Sequence, residues 1–172
     1  DDFVESYNGN MYVDKSCINA YDYRLVGDKL KILQDSPIKL MKSVKTNDEI
    51  SHYIDAFKRT DMAVKAIREY IENNDNISEY DIAVQLEKEF KRFGAKSLSF
   101  KSIVAKDKNS ALAHYSKCSK DEILTDGSLV LIDCGAYYES GLATDITRVF
   151  VKGQPSMLQK RVYTTVLKAF LN

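Results

Sequence analysis

The sequence has no surplus of charge: 25 basic residues stand against 25 acidic ones in 172, a formal net charge of zero. That balance offers no electrostatic attraction to nucleic acid or to an anionic membrane. Long apolar runs are missing too, so no segment is expected to span a bilayer. The opening DDFVESYNGN lacks the basic and apolar regions of a secretory signal. Cysteine is scarce: Cys17, Cys118 and Cys134 are odd in number and show no CxxC spacing. This favours reduced thiols in a cytoplasm over a disulfide framework. Histidine is scarcer still, and neither His52 nor His114 stands in ligand spacing with a cysteine. A Cys/His zinc site is therefore not expected. Internal repeats and low-complexity runs are absent as well.

What remains is an ordinary globular composition, 44% hydrophobic and 29% charged. The length suits one sizeable domain, or a domain plus part of another. The chain starts without Met and ends at QKRVYTTVLKAFLN, inside a helical pattern with no C-terminal cap signal, as a piece of a longer protein would. Residues 1–36 hold short strand-like pieces (FVESY, NMYVD and LKIL) and room for a short helix. They are too few for a core of their own and are expected to be the tail of a preceding domain. QDSPIKLMKSVKTN follows as a connector, with Pro37 pushing Ser36 into an extended conformation.

From residue 37 to 172 the pattern is helix, helix, strand, strand, strand, helix, which predicts an α+β fold with an antiparallel sheet and covering helices. A long helix is expected from near Thr46, where Thr46 and Glu49 have capping-box spacing. Its apolar stripe is Ile50, Tyr53, Ile54, Phe57, Ala63, Ala66, Ile67, Tyr70 and Ile71, and Asn73–Asn76 stops it. A second helix follows Ser78, with Asp81 in its first turn and Ile82, Ala83, Leu86, Phe90 and Phe93 on its apolar side. Gly94 is placed to end it. The strands are SLSFKSIVA, LVLIDCGAYY and LATDITRVFV, and the last helix begins near Ser156.

Two aspartates sit in the apolar stretch LIDCGAYYESGLATDITRVF. It reads as a hairpin around ESG. If Asp133 pairs directly with Asp145, the tip is Tyr138, Glu139 and Ser140, and both carboxylates point to one face. Like charges so placed repel, and a pair of divalent cations would reverse the sign. The alternative is a hairpin whose aspartates lie in turns or pair with lysine or arginine. Arg148 is three residues from Asp145, so in a strand it points to the other face. Cys134 also points away from Asp133 and reads as a buried thiol. Thr147 shares the face of Asp145, in reach for a hydrogen bond to a ligand carboxylate.

This stretch resembles the signature of the aminopeptidase P and prolidase family, metallopeptidases with the pita-bread fold. NSALAHY resembles the segment that precedes that signature, SPIKLMKSVKTNDEISHYIDAF the entry to the catalytic domain, and GQPSMLQKRVYTTVLKA the helix after the metal hairpin. The resemblance implies that residues 37–172 are the first half of a pita-bread catalytic domain. It makes residues 1–36 the end of the N-terminal domain and its linker. It implies two divalent metal ions, manganese in the first place, with Asp133 and Asp145 as ligands. His114 then contacts substrate and helps the proton transfers. The substrate that the resemblance implies is a peptide with proline in second position, cleaved before that proline.

Two departures from the family pattern matter. The family hairpin usually sets its aspartates eleven apart; here they are twelve apart, with GLATD, and an odd-length tip or a bulge is expected to absorb the difference. The family's remaining ligands, one His and two Glu, lie beyond Asn172, and His52 is on the first helix and cannot serve. The 172-residue chain alone is thus expected to bind manganese weakly, to lack peptidase activity and, with apolar faces and sheet edges uncovered, to form a homo-oligomer. Alternatives are a prolidase confined to dipeptides, or a pita-bread module that has lost catalysis and binds other proteins. Retention of Asp133, Asp145 and His114 speaks against the last.

Overall fold

A computed structural model describes residues 2–172. They divide into two compact units, one ending at Asn47 and one spanning Asp48–Asn172. In the first unit, helix α1 (Asp2–Ser6), strand β1 (Met11–Asp14), helix α2 (Ala20–Val26), strand β2 (Leu30–Leu33) and helix α3 (Pro37–Ser43) follow in order. Strands β1 and β2 pair in parallel, Met11 beside Leu30 and Asp14 beside Leu33. A parallel pair needs a crossover, and α2 lies within it.

Two expectations for this unit are corrected. FVESY is helical, not extended: the Tyr7 N–H reaches the Phe3 carbonyl at 3.0 Å, and the two rings stack 5.7 Å apart. A helical turn closes its hydrogen bonds locally, whereas a strand needs a partner ladder. The connector after residue 36 holds helix α3. Ser36 is extended (φ −79°, ψ 118°), as the residue before a proline should be. However, its hydroxyl accepts the Lys39 N–H, and Pro37 occupies the first turn, where a missing N–H costs nothing. Lys39 pairs with Asp14 at 2.6 Å and, with Ser16, holds that carboxyl well below the usual range.

The second unit is built on two long helices. Helix α4 (Asn47–Asn73) starts immediately after Thr46 and stops within the asparagine-rich stretch. Helix α5 (Glu79–Arg92) opens on a reciprocal capping box between Ser78 and Asp81. It closes on Gly94 (φ 87°), with Gly94 N–H to Lys91 O at 3.0 Å and Ala95 N–H to Phe90 O at 2.9 Å. This is the paired bonding of a glycine-terminated helix. The α5 stripe is as expected, with Ile82, Leu86 and Phe90 buried. The α4 stripe is only half right. Ala63, Ile67 and Ile71 are buried, but Ile50, Ile54 and Phe57 are exposed, and Ala56 and Thr60 are buried instead. Periodicity marks the apolar side of a helix; only the neighbours decide how far along it is covered.

Strands β4 (Ile103–Lys106), β5 (Leu129–Cys134) and β7 (Ile146–Val151) form an antiparallel sheet in the order β4-β5-β7, and short β3 (Ser97–Leu98) pairs with β6 (Ala136–Tyr137). Burial alternates along β5, with Val130, Ile132 and Cys134 in one core cluster with Ile67, Ile71, Ile82, Leu86 and Phe90 of the helices. Leu129, Leu131 and Asp133 take the other face, as a half-covered antiparallel sheet requires. Helix α6 (Met157–Leu171) begins at a capping box between Ser156 and Gln159 and has no buried residue. Among the described residues no helix is long and apolar enough to cross a membrane.

Candidate metal centre

The hairpin register differs from direct opposition of the aspartates. Asp133 pairs with Thr147 and Cys134 with Ile146, and further out Tyr137 bridges Ala143. The tip therefore runs over the five residues 138–142, not three. Its turn is closed by the Gly141 N–H to the Tyr138 carbonyl at 2.9 Å, with Gly141 at φ 73°. Asp145 thus lies one step diagonally from Asp133. The separation of twelve is even, so both still project to one face. The odd-length tip absorbs the extra residue, and the register is the same on both sides of Gly135, without a bulge.

Two long-range anchors set this register. Tyr138 is buried, and its hydroxyl shares a hydrogen bond with Thr60 of α4 at 2.9 Å. Thr144 is fully buried; its hydroxyl meets Thr60 at 2.8 Å and takes the Ala136 N–H at 3.0 Å. These contacts pin both arms of the hairpin to α4. A Cβ on Gly135, between the arms, would collide with the Thr144 carbonyl oxygen.

The site face is open. Asp133 is half-buried, while Asp145, Thr147 and His114 are exposed, so the aspartates are not buried in an apolar surround. The covered side of the sheet is the one opposite them. The Thr147 hydroxyl donates to Asp133 Oδ1 at 2.8 Å, fixing one oxygen of that carboxylate. His114 lies in a turn just after the 3-10 segment Asp107–Ala111. His52 is on α4 beside a small cleft lined by Asp55, Arg59, Tyr138, Glu139 and Ser140. Among the described residues, no group of three or more His, Cys, Asp and Glu side chains is gathered to hold a metal ion. Asp133 and Asp145 thus have no third such side chain gathered with them among the described residues.

Cys134 faces the core and is fully buried; burial first, then the neighbouring Asp133 and Asp145, pushes its thiol up to about 12. Cys118 is buried with its thiol also pushed up by burial, and Cys17 is exposed. A thiolate-selective reagent is expected to titrate one thiol, Cys17, in the native chain and three after denaturation. Rapid reaction of a second native thiol would contradict this packing.

One buried acidic residue has no counterpart in the sequence reading. Glu79 opens α5 and is fully buried. Four donors surround its carboxylate: Lys106 N–H (2.7 Å) and Asn109 Nδ2 (3.0 Å) on one oxygen, Tyr115 O–H (2.6 Å) and Ser119 N–H (2.9 Å) on the other. The only sequence signal was its place in a capped first helical turn, which says nothing about burial.

The profile of metallopeptidase family M24 matches residues 51–172. The chain belongs to metallopeptidase family M24. Among M24 relatives, it is 36% identical over 135 residues to the Xaa-Pro dipeptidase of Pyrococcus furiosus, covering 78% of this chain and 37% of that protein. It is 32% identical over 166 residues to the Xaa-Pro aminopeptidase of Haemophilus influenzae, covering 94% of this chain and 35% of that protein. The prolidase structure from Pyrococcus horikoshii superposes with a TM-score of 0.82 at 30% identity, over 98% of this chain and 48% of that one. The chain thus spans less than half the length of these relatives. Its helices and antiparallel sheet are part of the pita-bread fold of M24 enzymes.

Proposed function

We propose that this chain is the first half of the catalytic domain of a Xaa-Pro aminopeptidase, which hydrolyses the bond before a proline in second position. Residues 1–36 then close a preceding domain. The observation that carries the reading is the placement of Asp133 and Asp145 on one open face of a rigid hairpin, with Thr147 holding one Asp133 oxygen. Two carboxylates on one face repel unless a cation lies between them. Their hard oxygen donors suit divalent ions such as manganese. Bound cations supply Lewis-acid polarisation and lower the pKa of water at the site. The chain's own part is positional: the two aspartates hold the ions, Thr147 orients Asp133, and His114 contacts the peptide and serves the proton transfers.

The free thiols support a reducing, cytoplasmic setting. The exposed apolar side chains of α6, Met157, Leu158 and Phe170 among them, support self-association into a homo-oligomer. A second reading is a prolidase restricted to Xaa-Pro dipeptides, favoured by the higher identity to the Pyrococcus dipeptidase.

The test is hydrolysis of an Xaa-Pro dipeptide and an Xaa-Pro tripeptide by the full-length protein that carries this chain. Cleavage of the tripeptide, lost on chelation and restored by manganese, is expected. Cleavage of the dipeptide alone selects the prolidase reading, and cleavage of neither selects a non-catalytic binding module. Asp145→Asn should lower kcat/KM by on the order of 10³-fold, the equivalent of several kcal/mol of charge stabilisation. Thr147→Val should cost about 10–100-fold. The 172-residue chain by itself should be inactive.

A further inference from the structure

We infer that Glu79 is a positioning residue for His114: its buried carboxylate is the anchor that fixes the segment carrying that histidine. The inference rests on the role proposed above for His114. Glu79 binds the segment at four points, Lys106 and Asn109 before His114, Tyr115 and Ser119 after it. Tyr115 is the next residue in the chain, so its phenol is the nearest tether. Burial, followed by the carboxylate itself, pushes that phenol up to about 12.

The surrounding structure serves the same end. The segment has few regular bonds of its own: it contains the 3-10 turn Asp107–Ala111 and a turn in which Tyr115 N–H meets Leu112 O at 3.1 Å. Cys118 lies at φ 44°, a conformation costly for a residue with a side chain, and Glu79 takes the very next N–H. The start of α5 is bonded back to the segment: Tyr80 N–H reaches Ser119 O and Glu79 N–H reaches Glu122 O, each at 3.3 Å. No ion pair to Glu79 occurs among the described residues; its charge is met by donors alone, at the positive end of a helix. A buried carboxylate with four donors is a demanding structure. A packed apolar side chain would fill the space without fixing the segment's path. What the carboxylate adds is a fixed set of four bond directions, all from the segment that presents His114.

Glu79→Gln tests this. The amide keeps one acceptor oxygen and turns the other into a donor. In one orientation it faces the Lys106 N–H, in the other the Ser119 N–H, so one backbone donor loses its partner either way. Exchange of that amide is expected to speed up on the order of tenfold or more. The NMR order parameter of the His114 amide should fall. His52, the other histidine, sits on α4 and serves as the internal control; its order parameter should not move. Unchanged exchange at Lys106 and Ser119 together with an unchanged His114 would overturn the inference, as would equal loosening at His52, which marks general destabilisation. If Glu79→Gln does not fold, Asn109→Ala removes a single donor and should show the same His114-selective change, smaller in size.

In the full-length protein, Glu79→Gln should lower kcat on an Xaa-Pro peptide, with little added loss when His114→Ala is combined with it. If His114→Ala alone lowers kcat while Glu79→Gln does not, the positioning role fails and the role of His114 stands. If His114→Ala is silent while the segment loosens in Glu79→Gln, the catalytic role of His114 fails and the anchor remains.

Discussion

Gly135→Ala is expected to cost about 3 kcal/mol or more of stability, the upper end of what overpacking does. The added methyl would meet the Thr144 carbonyl oxygen, a backbone atom, with the Ser99 hydroxyl also in the way. Backbone cannot swing aside as a long side chain can. Moreover, this backbone is held from both sides: Ser99 donates to the Thr144 carbonyl at 2.9 Å, and the Thr144 N–H donates to Ala136 O at 2.9 Å. Relief would require parting the arms that carry Asp133 and Asp145. Urea denaturation should therefore show a lower midpoint with an unchanged slope. The comparison is Gly141→Ala at the hairpin tip, where the space is open but φ is +73°; it should cost only about 1–2 kcal/mol. Equal losses for the two variants would mean that the hairpin opens easily at Gly135, and the rigidity assigned to the site would be wrong.

Lys152→Met is expected to cost about 2–4 kcal/mol: the buried Ile71 carbonyl left without a donor costs roughly 1–3 kcal/mol, and the more exposed Asn74 carbonyl costs about 1 kcal/mol. Lys152 follows β7 and is 7% exposed, and its ammonium donates to Ile71 O at 2.9 Å and Asn74 O at 2.6 Å. These are carbonyls at the end of α4, where a helix leaves acceptors unfilled and carries partial negative charge. Methionine keeps the length and apolar stem but supplies no donor. The ion pair with Asp75 at 3.3 Å is secondary, since that carboxylate is almost wholly exposed. Asp75→Asn should change stability by about 0–1 kcal/mol. If Asp75→Asn matched Lys152→Met, charge pairing rather than carbonyl capping would hold this corner.

Both positions show where local sequence stops being informative. Gly135 lies inside the expected strand LVLIDCGAYY, where nothing local marks it, and its real constraint is the carbonyl of Thr144, nine residues away. Lys152 follows the strand LATDITRVFV with no local signal of a partner, yet it closes a helix 81 residues earlier. Glu79 is a third case. An acidic residue in the first turn of a capped helix is expected to face water, and only the donors from residues 106–119 make its burial tolerable.

Elements whose signals are local were legible. Ser78 with Asp81 marked the start of α5, Gly94 its end, and Ser156 the start of α6, because caps use groups within four residues of the terminus. The common face of Asp133 and Asp145 was legible as well, since an even separation fixes the side of a strand whichever even-numbered tip shift is chosen. The register was not. It depends on Thr60 of α4, which binds Tyr138 and Thr144 across 78 and 84 residues. FVESY and the start of α3 were misread for the opposite reason: short segments have nearly balanced preferences, and a stacked pair or a serine cap tips them.

Sequence alone determined the two long helices, the last helix, the α+β class, the placing of two carboxylates on one sheet face and the likeness to the aminopeptidase P and prolidase family. Each of these depends on spacing and residue type within a few turns or one hairpin. The tertiary structure decided the diagonal register, the openness of the sheet face that carries Asp133 and Asp145, the covered length of α4 and the burial of Glu79. Those depend on which distant groups arrive to fill a donor, an acceptor or a space, and no local pattern encodes their arrival.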